Sequence, residues 1–165
     1  MMDKCKECFS PLFLFALFLT LLFLSSCGND DIQLPDKDLE GKIGGNDWSY
    51  KSANGFLLSA DLRYTIRFIS DKETATDPCT LPSPGLAHAR AIFKPFIGSY
   101  VVASQAIDNN QVQVAFQLSP SRSLIASSGF MEIYDINAQI IYGYLQAVLD
   151  DENRIEGAFQ IKLCN

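Results

Sequence analysis

The chain has 165 residues, 13 Lys and Arg against 19 Asp and Glu, a formal net charge of −6 and one histidine. An acidic chain without a Lys/Arg cluster lacks the electrostatic footprint of a nucleic-acid binder, and anionic membranes would repel it. Zinc sites take three or four His, Cys or acidic ligands, which so few histidines do not provide, so no metal or other cofactor is expected.

From the N-terminus, Lys4 and Lys6 open a short positive segment that Asp3 and Glu7 formally cancel. Leu12 to Leu24 follows, thirteen residues with Thr20 as their one polar member. A helix that spans a bilayer takes about 20 apolar residues, whereas about 10–14 suits the core of a secretory signal. At the end of this core, Leu24-Ser25-Ser26-Cys27 resembles the bacterial lipobox. That resemblance implies a signal peptide over residues 1–26, cleavage before Cys27, a diacylglycerol thioether on its sulfur and a palmitate-type acyl chain on its new amine. Three chains, at about 0.8 kcal/mol per buried CH₂, would hold the protein at a membrane permanently. Gly28-Asn29-Asp30-Asp31 is similar to the acidic export signal of Bacteroidota-type surface lipoproteins. The resemblance implies attachment to the outer membrane and leaves the leaflet open.

Loss of residues 1–27 would leave 11 basic and 17 acidic side chains, so the charge stays at −6. Cys5 and Cys8 would leave with the signal. With Cys27 lipidated, Cys79 and Cys164 remain as an even pair in an oxidising space, where a disulfide is expected. Residues 27–40 read as a lipidated N-terminus and flexible acidic tether, reaching roughly 20 Å as a coil.

Residues 41–165 read as a single β domain. Strands are predicted at Trp48–Lys51, Gly55–Asp61, Tyr64–Ile69, Ala87–Phe93, Ser99–Ser104, Gln111–Leu118, Gly129–Ile136, Ile140–Leu149 and Ile155–Leu163. The sixth sets Val112, Val114, Phe116 and Leu118 on one face and Gln111, Gln113 and Gln117 on the other, the alternation of a half-buried strand. The last does the same with Ile155, Gly157, Phe159, Ile161 and Leu163. Asn/Asp/Gly clusters between them, including Asp108-Asn109-Asn110 as a hairpin turn, favour an antiparallel β-sandwich, with a closed lipocalin-like barrel as the alternative. Residues 119–128 (SPSRSLIASS) read as a short helix or a loop. Ser70 to Gly85 is the longest irregular stretch, and the disulfide would tie it down. Cys164 shares the parity of Glu156, Gln160 and Lys162. Either a bulge shifts the register near the end, or the bridge lies on the outer face beneath that loop.

Gly41 to Tyr50 (GKIGGNDWSY) and Asp150 to Phe159 (DDENRIEGAF), the latter leading into a near-terminal Cys, are similar to a diffuse group of small β-rich lipoproteins. That likeness implies the fold and brings no chemistry with it.

Candidate chemistry is sparse. Nucleophilic catalysis needs a nucleophile, a base and an orienting group in reach. His88 lies in an alternating run on the side of Arg90, so it reads as a wet-face histidine, and no serine sits in a Gly-x-Ser-x-Gly elbow. No catalytic residue is assigned. Asp61, Glu132 and Asp135 are carboxylates available to a glycosidase, which would need two of them at a defined separation. Asp150-Asp151-Glu152-Asn153 concentrates oxygen ligands suited to calcium but also suits a plain turn. Trp48 and Tyr50, two apart on one strand, form a candidate ligand platform; Tyr142 and Tyr144 repeat the geometry, with Tyr134 a further candidate. Large aromatics in strands serve packing more often than binding. The reading is a non-catalytic binding or scaffolding module partnered by an envelope protein or a glycan. An internal small hydrophobic ligand goes with the barrel alternative.

Overall fold

The computed structural model describes residues 37–58, 62–73, 77–80, 86–105 and 108–164. The strands are β1 Glu40–Ile43, β2 Asn46–Leu58, β3 Arg63–Ser70, β4 His88–Phe93, β5 Gly98–Val102, β6 Gln111–Ser119, β7 Arg122–Ile125, β8 Ser128–Ile136, β9 Ile140–Asp150 and β10 Asn153–Cys164. A single 3-10 turn, Pro78–Thr80, is the only helical element among the described residues. The signal peptide, the lipobox Cys27 and the tether up to residue 36 lie outside the described residues, as does Asp61.

Hydrogen bonding runs β4-β3-β2-β1-β10-β9-β8-β5-β6, and β4 pairs back onto β6, so nine strands close into a barrel with β7 as a tenth strand on β6. Of the two all-β architectures left open, the chain adopts the barrel. Closure removes the unpaired edges that a sandwich of this size would have to protect. The alternating faces fall as the sequence predicts: Val112, Val114 and Phe116 of β6 and Ile155, Phe159 and Ile161 of β10 are buried. Aromatic rings fill the interior. Phe68 meets Phe159 edge-on at 5.3 Å, and Tyr100 meets Phe93 the same way. The Tyr100 hydroxyl accepts from Phe96 N–H at 2.6 Å and donates to Phe96 C=O at 2.8 Å, which satisfies a polar atom that burial would otherwise strand.

The closure depends on a wedge. β1 lies antiparallel between β2 and β10, whereas farther along β2 and β10 pair directly and parallel, Ala53 opposite Ile161. Between these zones the segment before β1 fills the fork. Leu39 N–H donates to Ala158 C=O at 3.0 Å, Ala158 N–H to Lys37 C=O at 2.8 Å, and Tyr50 N–H to Leu39 C=O at 2.9 Å. The Leu39 side chain is 0% exposed. Thus the β body takes in residues that the sequence assigns to the tether. Gly157 makes this possible: its φ is +146°, and a Cβ there would stand 2.3 Å from Asp38 O. Where the fork narrows, the Tyr50 hydroxyl accepts from Gln160 N–H at 3.2 Å and donates to Gln160 C=O.

Cys79 and Cys164 are joined by a disulfide, their Cα atoms 5.6 Å apart. No register shift occurs near the end of β10, so Cys164 keeps its outward parity and the bridge lies on the outer face, the second of the two options. The 3-10 turn is fixed there further. Asn54 Nδ2 donates to Pro78 C=O, and Lys162 Nζ lies 3.3 Å from Asp77 Oδ1.

Several expectations change. The first two predicted strands are one, β2, with a register shift against β3 between Tyr50 and Ser52. Residues 119–128 form neither helix nor loop alone: Pro120 sits in a turn, and β7 returns along β6 with Phe116 opposite Leu124. The turn at Asp108-Asn109-Asn110 is not a hairpin, because β5 and β6 run parallel, Val101 opposite Gln111.

Two stability outcomes follow from this packing. Leu39→Ala should cost about 2–4 kcal/mol, the usual range for a buried Leu truncation, whereas a tether residue would be neutral. Reduction of Cys79–Cys164 should cost about 3–5 kcal/mol through loop entropy. Guanidinium unfolding with and without reductant measures both.

Candidate functional site: an open cleft on the outer wall

Where β1 is inserted, the outer faces of β1, β2, β9 and β10 form an open cleft of about 600 Å³. Antiparallel register sorts its charges into two adjoining rows. In one, Glu40 faces Glu156 on β10 and Ser49 on β2, and Gln146 of β9 follows Glu156. In the other, Lys42 faces Arg154 and Asp47. Like charges set directly across a ladder weaken it, as at Glu40–Glu156 and Lys42–Arg154, whereas Lys42 and Asp47 face each other with opposite charge. Lys37 adds one direct contact, 3.5 Å to Glu40. The cleft therefore offers hydrogen-bond donors and acceptors side by side.

An aromatic pair borders it. Phe130 of β8 stacks on Tyr144 of β9, centroids 5.8 Å apart and planes 21° from parallel, and Phe130 is 41% exposed. Phe130 is in register with Gln146, which itself lines the cleft. Val101 of β5 lies opposite Phe130 and is also exposed. Tyr144 ties the pair to the charged floor: its hydroxyl donates to Glu156 Oε1 at 2.6 Å. Burial, then this hydrogen bond and the Glu156 charge, push the Tyr144 phenol up to about 12. The same bond, helped by Gln146 and Lys37, holds the Glu156 carboxyl below its ordinary value.

The platform predicted at Trp48 and Tyr50 does not form. Trp48 is 4% exposed and belongs to the core, its indole N–H donating to Ala87 C=O at 3.2 Å. Tyr50 is half-buried and its hydroxyl is spent in the fork, where burial pushes its phenol up to about 12. Parity placed the two rings on one face correctly; it could not say that this face points inward. Tyr144, from the second predicted pair, is the aromatic that reaches the cleft, while Tyr142 lines a neighbouring hollow of about 430 Å³ beside Tyr50 and Gln160. Phe130 was missed. Its signal was present: it shares parity with Glu132 and Tyr134, a large aromatic on the polar side of a strand.

The other candidates are placed as follows. His88 faces outward as expected but is buried, 8% exposed, with Nδ1 3.1 Å from Leu86 O; it is not a wet-face residue. Two side-chain oxygens of the acidic turn are engaged by N–H donors. Asp150 Oδ1 accepts from Glu152 N–H and Asn153 Nδ2 at 3.0 and 2.9 Å, and Asn153 Oδ1 from Gly44 N–H at 2.9 Å. This network fastens the β9–β10 turn to the Gly44-Gly45 hairpin turn, whose two positive φ angles suit the twist of its strands. Among the described residues no group of three or more His, Cys, Asp or Glu is arranged to hold a metal ion. Glu132 and Asp135 are separated by a register shift in β8 and do not form a facing pair. The chain matches no protein-family model, no curated protein and no solved structure.

The titration directions fix a pH response. Glu156 is lowered in the folded state, so its contribution is present above its unfolded value and lost as pH falls through the folded one. Tyr50, Tyr100 and Tyr144 are raised from 10.0 to about 12, so theirs is intact below pH 10 and lost between about 10 and 12. Denaturant unfolding across that alkaline window should show stability falling. Tyr144→Phe should also return the Glu156 carboxyl towards its ordinary value, read by carbon-13 NMR of that carboxyl.

Proposed function

We propose that the chain is a lipoprotein anchored through Cys27 to the outer membrane, on its periplasmic or surface side, and that the barrel is a non-catalytic module binding carbohydrate at the outer cleft. The observation that carries the ligand class is the stacked pair of exposed Phe130 and half-buried Tyr144 beside a cleft with Glu156, Gln146 and Arg154. A sugar ring presents an apolar face and a rim of hydroxyls. The first fits an aromatic surface, and the second needs donors and acceptors together. Ligand sites of this kind join apolar surface with a few placed polar groups.

The filled interior supports an outside site over an internal small hydrophobic ligand, since Trp48, Phe68, Phe116 and Phe159 occupy the space such a ligand would need. Support for a non-catalytic role comes from His88, enclosed with Nδ1 at a backbone carbonyl. The lipobox at Leu24 to Cys27 supports the anchor, and the acidic run after it supports outer-membrane export.

Mature protein in detergent micelles, applied to a glycan panel, tests the reading. Binding is expected, and Tyr144→Ala or Phe130→Ala should weaken it at least about tenfold, a loss of about 1.4 kcal/mol. A protein that retains no glycan, or variants that bind as the parent does, would sink the carbohydrate assignment. Intact-mass measurement from the native host tests the anchor: residues 1–26 should be absent and the mass of the acyl chains present.

A further inference from the structure

The outer wall holds a second cavity in line with the cleft. The outward residues of β10 are Arg154, Glu156, Ala158, Gln160 and Lys162 in succession. The first two line the cleft and the last three line the neighbouring hollow of about 430 Å³, so no outward position of this strand separates the two cavities. β9 repeats the order, with Val148 and Gln146 in the cleft, Tyr144 between, and Tyr142 in the hollow. The segment ahead of β1 borders both, Lys37 lining the cleft and Asp38 the hollow. At about 3.3 Å per strand residue, Arg154 to Lys162 spans about 26 Å.

The hollow has the same two kinds of surface as the cleft. Tyr142 brings a half-buried ring, and Gln160, Ser52 and Asp38 bring an amide, a hydroxyl and a carboxylate beside it. The Tyr50 hydroxyl is spent on the Gln160 backbone, while the Gln160 side chain is exposed. Between the cavities Ala158 lies opposite Tyr144. A methyl group there is a low step, and the Tyr144 hydroxyl is drawn towards Glu156. Pro78, next to the bridged Cys79, also lines the hollow.

We propose that the hollow is a second sugar subsite in line with the first, so that the wall takes a glycan chain of several units laid along β10 rather than a single terminal sugar. The inference rests on the carbohydrate reading of the cleft. Two subsites engaged by one ligand act together, because the second contact is made at high effective concentration once the first has formed. Both cavities are open on the barrel surface, so a polymer can enter along its length without presenting an end.

Di-, tetra- and hexasaccharides of cellulose, mannan and polygalacturonic acid are titrated into the full mature chain in micelles, followed by calorimetry and amide NMR. At least one series should bind, its hexasaccharide at least about tenfold tighter than its disaccharide. The backbone amides of Glu156 and Gln146 should shift with every length that binds, and those of Gln160 and Tyr142 with the longer chains. Tyr142→Ala should bring hexasaccharide affinity down towards that of the disaccharide, whereas Phe130→Ala should weaken every length. The proposal fails if hexasaccharide and disaccharide bind alike, if the hexasaccharide leaves Gln160 and Tyr142 unmoved, or if Tyr142→Ala binds the hexasaccharide as the parent does. Each of these leaves the carbohydrate reading standing, whereas no binding at any length removes both. The unaltered protein decides the first two, so a variant that does not fold leaves the outcome readable.

Discussion

A closed sheet must leave no backbone N–H or C=O unpaired inside its wall, and the fork between β2 and β10 is where that condition is hardest to meet. Two strands that pair directly at one end and are separated by a third at the other expose a triangle of orphan groups between them. Buried backbone groups without partners cost as much as lost hydrogen bonds. Three devices close the gap: the extended segment ahead of β1, the glycine at 157 that lets it approach, and the Tyr50 hydroxyl on Gln160. Each answers a different part of the problem. The chain segment supplies ladder bonds, the glycine supplies room, and the phenol supplies a donor and an acceptor where no further chain will fit.

Closure also decides where ligands can go. Each strand contributes large inward residues, and the aromatic rings of Trp48, Phe68, Phe93, Tyr100, Phe116 and Phe159 meet in the middle. Small barrels of this kind have interiors that side chains fill. The surface features that can recognise a partner are therefore on the outside, where register places them in rows. In the cleft, Glu40 faces Glu156 in one row, and Lys42 faces Arg154 and Asp47 in the next.

The legibility of this fold in the sequence followed the strength of the period-two signal. β6 and β10 are long and cleanly alternating, and both their faces were readable. β2 was split in two because Ser52-Ala53-Asn54-Gly55 has weak strand character and a register shift breaks the parity just before it. β1 and β7, four residues each, are too short to show a period. Leu39 was invisible as core because Lys37, Asp38 and Glu40 surround it, and one apolar residue among charges has the composition of a linker. The cysteine parity was informative because β10 stays in register to its end, so an outward Cys164 meant a bridge on the outer face. The site was the least legible part. Alternation sorts residues into two faces, and only the folded ring says which is inside, so Trp48 went to the core and Phe130, to which the spacing gave no role, came to border the cleft.

The proposed anchor, if present, would act on the cleft through a short stretch of chain. Lys37, the first described residue, lines the cleft, and it lies ten positions after Cys27. Ten residues fully extended span at most about 35 Å. Under the proposed anchoring at Cys27, that length is the farthest Lys37 could stand from the lipidated cysteine. On the other side of the cleft strands, β3 and β4 adjoin β2 directly and are separated from β9 by β6, β5 and β8.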